Sequence, residues 1–240
     1  MSTENHQAAA LAALAGLIAD RTRAACLLAL LDGRAWTAGE LARHAGVAAS
    51  TLSEHLGKLV AGGLLTEERQ GRHRYVRLAD ARVAQLVEDL AAQVPAAVVR
   101  RPPRTLREAS AGAAMARGRT CYDHLAGRLG VVLTDALTRR GLLRQDTGFA
   151  LTDAGMEWFG TAGVPLDPGG RRPLARACLD WTERRPHLAG AAGAALCRRA
   201  LEAGWCVRVG SGRAVAVTAS GERVFSDLLG ISGRPWLETG

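Results

Sequence analysis

Long hydrophobic runs, paired cysteines and aromatic side chains are all scarce in this sequence of 240 residues. No stretch approaches about 18 consecutive apolar residues, so we expect no membrane-spanning helix and no membrane partner. The amino terminus lacks the basic segment of a signal peptide, and the five cysteines form no CxxC pair. These absences predict a cytoplasmic protein without a disulfide scaffold. Because only 4% of the residues are aromatic, aliphatic side chains and alanine must form the core.

The familiar catalytic motifs are also missing. The sequence contains no GxGxxG after a strand, no P-loop, no GxSxG and no HExxH. We therefore predict that the protein is not an enzyme and carries no cofactor.

Arginine is what the sequence has in excess. Thirty-one basic residues stand against 23 acidic ones, a net charge of +8 that suits a polyanionic partner such as DNA. Residues 1–99 contain equal numbers of basic and acidic residues, whereas residues 100–119 contain six arginines against Glu108 alone. These arginines either contact DNA beside the main site or pair with acidic surfaces of the protein. Net charge thus permits nucleic-acid binding but does not locate it.

Residues 1–95 have the pattern of a winged helix-turn-helix domain. Apolar residues at helical spacing predict helices over 7–19, 22–31, 37–44, 49–61 and 80–94. After Gly62-Gly63 the pattern alternates, which predicts a hairpin over 64–78 with its tip at Gln70-Gly71. A helix, a tight turn, a second helix and a basic hairpin in this order favour DNA binding over an ordinary surface helix and a solvated hairpin.

The second helix of that motif is expected to enter the major groove, while the wing arginines lie along the backbone or in a minor groove. The predicted DNA contacts are Ser50, Thr51, Ser53, Glu54, His55 and Lys58 on the helix, and Arg69, Arg72 and Arg74 on the wing.

Four short segments carry a resemblance to a known family. They are residues 18–23 (IADRTR), 37–42 (TAGELA), 50–56 (STLSEHL) and 61–75, in which AGGLL precedes RQGRHRY. Together they resemble ArsR/SmtB-type transcriptional regulators over about residues 8–94, departing at Arg21, where that family usually has proline. The resemblance implies a homodimer built from the first and last helices of the domain. It also implies a repressor that releases its operator when an effector binds.

Apolar stripes on the two outer helices support the dimer independently. The stripes, which exceed what one small domain needs, are Leu11, Leu14 and Ile18, and Val83, Leu86, Val87, Leu90 and Val94. The alternative is that both helices simply cover their own core.

Residues 120–240 contain an internal duplication. The run His124-Leu125-Ala126-Gly127 recurs at 187–190, and each copy continues with a helix, a glycine-led break, a short hairpin and a second helix. Cys121-Tyr122-Asp123 likewise matches Cys178-Leu179-Asp180. We predict a mainly α protein with small β-hairpins: the winged helix-turn-helix (1–95), a basic linker (96–119) and a C-terminal domain of two winged-helix-like repeats (120–240).

The effector site is expected in the duplicated region, because the usual metal sites of the resembled family lack their ligands. Residues 37–45 contain no cysteine, and the last helix of the winged domain contains no histidine. The candidate effector or switch residues are Cys121, Tyr122, His124, Cys178, Trp181 and His187. Cys121-x-x-His124 and Cys178-x8-His187 contain the ligand types of a tetrahedral zinc site, but the second spacing is loose, so no metal is assigned.

Three other interpretations of these residues stay open. Cys121 and Cys178 form a redox switch, or the halves enclose a small-molecule pocket walled by Tyr122, Trp158, Trp181 and Trp205, or each Cys–His set packs within its own half while Asp123 and Asp180 pair with arginines. A small-molecule effector is preferred over a metal.

The sequence thus predicts a homodimeric transcriptional repressor that binds double-stranded DNA at an inverted-repeat operator. The alternatives are a non-specific architectural DNA-binding protein, a redox- or metal-responsive repressor using the C-terminal Cys and His residues, and an enzyme or binding module that uses the winged fold only as an interaction surface.

Overall fold

The computed structural model describes residues 3–71, 73–95, 105–146, 148–167, 169–170, 172–210 and 212–238. Its helices are α1 (Thr3–Ile18), α2 (Arg21–Leu30), α3 (Ala38–Ala45), α4 (Ala49–Ala61), α5 (Ala81–Gln93), α6 (Leu106–Arg117), α7 (Gly127–Arg139), α8 (Asp153–Thr161), α9 (Gly190–Glu202) and α10 (Ala219–Leu229). Its strands are β1 (Trp36–Thr37), β2 (Leu65–Gln70), β3 (His73–Leu78), β4 (Arg119–Cys121), β5 (His124–Ala126), β6 (Leu143–Arg144), β7 (Ala150–Leu151), β8 (Arg176–Leu179), β9 (Pro186–Ala189), β10 (Cys206–Arg208) and β11 (Val215–Val217). Within these described ranges, every helix is too short or too polar to cross a membrane.

The first compact unit, Met1–Val87, contains the predicted winged helix-turn-helix. Its three-stranded antiparallel sheet has the spatial strand order β1-β3-β2. Along the chain, β1 precedes α3, and the β2–β3 hairpin follows α4. A capping box between Thr37 and Glu40 starts α3, and Gly46, with φ of 69°, ends it in the left-handed region. These local signals produce the tight turn between α3 and α4.

Arg21, the departure from the resembled family, leaves the start of α2 intact. The carboxylate of Asp20 accepts a hydrogen bond from the Arg23 amide at 2.9 Å, and the helix begins at Arg21. The aspartate therefore caps the helix without help from a proline.

The second compact unit is Glu88–Gly240, and the domain boundary at residue 95 stays a prediction. The last turns of α5 lie in this unit, where Arg213 lies 2.8 Å from Glu88 and Arg184 donates to the Ala92 and Val94 carbonyls. Of the predicted basic linker, residues 96–104 lie outside the described ranges, and most of the remainder forms α6.

The element order of the second unit repeats along the chain. Strands β4 and β5, helix α7, strands β6 and β7 and helix α8 form one repeat, and β8 to β11 with α9 and α10 follow the same order. Leucine and alanine side chains of both repeats share one core, together with Phe159 and Phe225. The winged-helix character of each repeat stays a prediction, since a strand pair rather than a helix precedes α7 and α9.

The two repeats pack across each other through glycines. A Cβ atom at Gly130 in α7 would lie 2.4 Å from the Leu125 carbonyl oxygen and 3.5 Å from Cβ of His187. At the equivalent Gly193 in α9, it would lie 2.4 Å from the Leu188 carbonyl oxygen and 3.2 Å from Cβ of His124. Each helix can therefore approach its own hairpin and the other repeat's histidine, which places the β4–β5 and β8–β9 hairpins side by side.

Candidate DNA interface and cysteine–histidine cluster

Helix α4 presents a polar face to solvent. Leu52, Leu56 and Leu59 are buried on its opposite side. The exposed face contains Ser50, Thr51, Ser53, Glu54 and Lys58. Ala48 is the N-cap residue of α4, and its side chain accepts no hydrogen bond from the first amide groups of the helix. Such a helix end favours a negatively charged group.

His55 differs from the other predicted α4 contacts. Its side chain is only 17% exposed, and its Nδ1 atom lies 3.4 Å from the Asp20 carboxylate at the start of α2. The Arg23 amide and His55 together hold the pKa of Asp20 below its usual range. His55 therefore faces the protein, where it ties α4 to α2.

The wing places its predicted arginines in different settings. Arg69 is exposed near the end of β2, directly across from Arg74 on β3. Arg74 is half-buried and forms an ion pair with Glu67. Arg72 lies outside the described residues. Of these two arginines, Arg69 thus has the more accessible charge.

In the second unit, four predicted effector residues come together. Cys121 pairs with His124 across the β4–β5 hairpin, and Cys178 pairs with His187 across the β8–β9 hairpin. The four candidate ligand atoms lie within 4.8 Å of one another, and all four residues are 1–3% exposed. The two sulfur atoms are 3.7 Å apart, and the imidazole rings stack with centroids 5.1 Å apart. The residues therefore pack across the repeats and not within each half.

Hairpin geometry explains why two different sequence spacings give the same arrangement. The first hairpin turns through Tyr122 and Asp123, with Tyr122 in the left-handed region at φ of 56°. The second uses a longer loop, closed by a hydrogen bond from the Asp180 amide to the Arg185 carbonyl at 3.0 Å. Directly opposed residues on antiparallel strands lie close together whatever the length of the loop.

Hydrogen bonding around the histidines is uneven. Nδ1 of His124 lies 3.2 Å from the Asp123 carboxylate, and Nδ1 of His187 lies 3.6 Å from that of Asp180. Nε2 of each histidine is buried without a hydrogen-bond partner, as is Nδ1 of His187. Each imidazole thus has a carboxylate beside Nδ1, while its Nε2 lone pair or proton is left unsatisfied.

A buried ion pair joins the two hairpins beside the cluster. Arg119 in β4 and Asp180 after β8 are 1% and 0% exposed, with 2.9 Å between Nη2 and Oδ2. The same carboxylate also accepts hydrogen bonds from the amides of Gly127, Thr182 and Glu183. Asp123 also forms an ion pair with Arg172, and these side chains are 30% and 36% exposed. The predicted pairing of both aspartates with arginines is therefore present in the structure.

The cluster is strongly polarised. Burial raises the pKa of Cys121 well above its usual value, whereas the Cys121 thiol and both imidazoles lower the pKa of Cys178. Burial opposes protonation of His124, but Asp123 and the Cys178 sulfur together raise its pKa to about 9. Despite the cost of burial, His124 and Arg172 lower the pKa of Asp123 to about 2. The pocket thus favours a thiolate at Cys178.

The small-molecule pocket walled by Tyr122, Trp158, Trp181 and Trp205 stays a prediction. Trp205 packs edge-on against Phe225 in the core, and Trp181 lies under the guanidinium of Arg119 at 4.6 Å. A cavity of about 130 Å³ occurs elsewhere in this unit, lined in part by Trp236. Tyr122, Trp158, Trp181 and Trp205 do not line it. This volume is well below that of a typical site for a drug-sized ligand.

Sequence reasoning missed Arg119 and Thr134. The hydroxyl of Thr134 in α7 accepts a hydrogen bond from the Leu188 amide at 2.8 Å and so links the repeats. Arg119 could have been singled out, since Arg176 stands at the equivalent distance before Cys178. Thr134 has no comparable signal in the sequence.

Comparisons with known proteins give matches of different extent. A family described as a helix-turn-helix domain matches residues 18–68. The uncharacterized HTH-type transcriptional regulator YdfF of Bacillus subtilis (strain 168) is 41% identical over 224 residues, which cover 92% of this chain and 97% of YdfF. The HTH-type transcriptional regulator CmtR of Mycobacterium tuberculosis is 37% identical over 115 residues, 48% of this chain and 96% of CmtR.

Solved structures match a smaller part of the chain. The NMR structure of the cadmium metal-sensor CMTR from Mycobacterium tuberculosis has 36% sequence identity and a TM-score of 0.30. The match covers 40% of this chain and 99% of that one. The similarity to YdfF, in contrast, extends over both compact units.

Proposed function

Since the chain belongs to the HTH-type transcriptional regulators of the ArsR/SmtB type, we propose that it is a homodimeric repressor of an inverted-repeat operator. In this proposal α4 lies in the major groove, the wing follows the DNA backbone, and an effector acting through the second unit releases the DNA. Because its target is chromosomal DNA, we assign the protein to the cytoplasm.

The exposed polar face of α4 is the observation that carries the proposal. Three buried leucines fix the orientation of the helix, so Ser50, Thr51 and Ser53 point away from the core at its amino-terminal end. Side chains at this end of a recognition helix can reach base edges, while the adjacent amides favour a phosphate. Arg69 on the wing adds a positive charge for the DNA backbone.

Exposed apolar side chains on the outer helices support a dimer. Leu11 in α1 is 65% exposed, and Leu90 and Val94 at the end of α5 are 45% and 38% exposed. Leu14 and Ile18 on α1 are half-buried. Covering such side chains with a second copy contributes about 25 cal/mol for each Å² removed from water.

DNA binding is tested by footprinting and fluorescence anisotropy on the DNA upstream of the chain's own gene. The full-length protein is expected to protect two half-sites related by a dyad and to prefer this DNA over random DNA at matched salt. Equal affinity for both DNAs would instead identify a non-specific architectural protein and refute the repressor proposal.

Two variants separate base reading from backbone contact. Ser53→Ala is expected to reduce the preference for operator over random DNA by about two- to tenfold, the worth of one hydrogen bond. Arg69→Ala is expected to weaken binding to both DNAs and to lower the slope of log K against log salt by about 1. Arg82→Ala is the matched control, because this side chain is 94% exposed on α5. If all three variants behave alike, α4 and the wing do not form the interface.

A further inference from the structure

We propose that Cys121, His124, Cys178 and His187 bind one divalent cation of the Zn²⁺ class, which joins the two repeats of the second unit. Metal binding at this site does not require DNA, and the proposal does not depend on the proposed operator binding. Its ligands come in equivalent pairs, one cysteine and one histidine from each hairpin. The pairs face each other, with every candidate ligand atom within 4.8 Å of the others.

Unsatisfied polar atoms argue against simple packing of the cluster. Nε2 of His124 and both ring nitrogens of His187 are buried without hydrogen bonds. Leaving such an atom buried costs about 1–3 kcal/mol. A cation that accepts the nitrogen lone pairs and the sulfur charges removes this cost, because neutral imidazoles and thiolates are its natural ligands.

The distances suit a tetrahedral ion. With Zn–S bonds of about 2.3 Å, a tetrahedral site places its two sulfur atoms about 3.8 Å apart. The sulfur atoms of Cys121 and Cys178 are 3.7 Å apart. A disulfide would bring them to about 2.05 Å, which requires the two hairpins to move closer. The arrangement therefore fits two thiolates on one metal ion better than a bond between them.

The donor set selects the class of metal. Two sulfurs and two imidazole nitrogens are typical of structural zinc sites, whereas Mg²⁺ and Ca²⁺ prefer oxygen ligands. The four residues are 1–3% exposed, so water has little access to an open coordination position. These features indicate a closed, structural site and not a catalytic one.

Neighbouring carboxylates complete the pattern of a metal site. Asp123 lies beside Nδ1 of His124 and Asp180 beside Nδ1 of His187. At His124 the carboxylate hydrogen-bonded to Nδ1 orients the ring and leaves Nε2 for the metal, as in many zinc proteins. At His187 the carboxylate lies 3.6 Å from Nδ1 without a hydrogen bond. Arg172 and Arg119 in turn hold these aspartates in place. Each hairpin therefore supplies a cysteine, a histidine and a nearby carboxylate to the cluster, and an arginine pairs with each carboxylate.

The test uses Co²⁺ as a spectroscopic probe on the full-length protein, first reduced and stripped with a chelator. Titration is expected to end at one Co²⁺ per chain, with the intense visible bands of a tetrahedral ion and a thiolate-to-cobalt charge-transfer band in the near ultraviolet. Stoichiometric Zn²⁺ is expected to abolish both signals. Folded protein that takes up no Co²⁺, or gives an octahedral spectrum without charge transfer, would overturn the proposal.

Matched variants assign the ligands. Cys178→Ala is expected to weaken Co²⁺ binding by more than about 100-fold, since a ligand should matter more than the 10–100-fold typical of a supporting residue. Cys206→Ala is the control, because this cysteine is equally buried in the same unit at 1% exposure and lies outside the cluster. Asp123→Asn keeps all four ligands and is expected to lose about 10–100-fold.

Two further measurements guard against misfolding and oxidation. Circular dichroism establishes that each variant is folded before it is titrated. If Cys178→Ala does not fold, the Co²⁺ affinity of Asp123→Asn and the Co²⁺ spectrum of the wild-type protein decide whether the site binds metal. Hydrogen peroxide serves as the oxidant: it takes two electrons and two protons from Cys121 and Cys178 to give a disulfide and two water molecules. Zn²⁺ is expected to slow this oxidation, since thiolates bound to a metal are poor nucleophiles. Unchanged oxidation of the Zn²⁺-loaded protein would overturn the proposal in favour of a redox pair. Normal Co²⁺ uptake without operator binding would refute the repressor function alone.

Discussion

Removing Arg119 should destabilise the second unit far more than removing its counterpart in the other repeat. In Arg119→Ala the Asp180 carboxylate stays buried, still bound by nearby amides but without its cation. Breaking a buried pair from one side typically costs about 3–5 kcal/mol. The stacking of the guanidinium on Trp181 at 4.6 Å is lost as well. For a unit of this size the expected fall in melting temperature is about 6–20 °C.

Arg176→Ala supplies the comparison, because Arg176 stands two residues before Cys178 as Arg119 stands two before Cys121. Its partner is Asp89, and both side chains are 47% exposed, so the expected cost is only about 0–1 kcal/mol. Urea unfolding is followed by tryptophan fluorescence, since four of the five tryptophans lie in the second unit. Chelator and reductant are present throughout, so that no bound metal contributes.

Unfolding free energies of the two arginine variants that agree within about 1 kcal/mol would refute the expected effect of burial. That result would mean that water or a rearranged donor replaces Arg119 beside Asp180 at little cost. A large loss in both variants would equally refute it, because the argument depends on the difference in burial.

Two other substitutions test the packing and the dimer. Gly130→Ala should destabilise the second unit by about 1–3 kcal/mol, because the new Cβ would lie 2.4 Å from a backbone carbonyl; Gly160→Ala, in open space on α8, should instead stabilise by about 0.5–1 kcal/mol in the same urea assay. Leu11→Glu should shift the monomer–dimer equilibrium towards monomer in analytical ultracentrifugation, whereas Leu106→Glu, which is 91% exposed at the start of α6, should not. Equal effects within either pair would contradict the corresponding argument.

The sequence predicts the first unit well because its signals are local. The capping box at Thr37 and Glu40, the turn at Gly46 and the leucine spacing of α4 each depend on residues only a few positions apart. His55 is the exception: the helical pattern places it on the polar face, yet it contacts Asp20 at the start of α2. A contact between separate helices leaves no trace in the local pattern.

The Cys–His cluster is harder to predict, although all four residues stand out in the sequence. Cys121 and His124 are separated by two residues, but Cys178 and His187 by eight, so no common metal-binding spacing appears. Only the pairing of strands makes the two sets equivalent. Trp205, one of the residues assigned to the aromatic pocket, is only 7% exposed and packs edge-on against Phe225, a contact between distant residues that the local pattern does not show.

The arginines that hold the end of α5 make the second hairpin and that helix energetically interdependent. Arg184, in the hairpin loop, binds the carbonyls of Ala92 and Val94, and Arg176, in β8, binds Asp89. Any ligand that stabilises this hairpin also stabilises the final turn of the helix that we assign to the dimer. Linkage of this kind is reciprocal. If dimer formation orders α5, it raises the affinity for the metal by the same factor by which the metal raises the affinity of dimerisation.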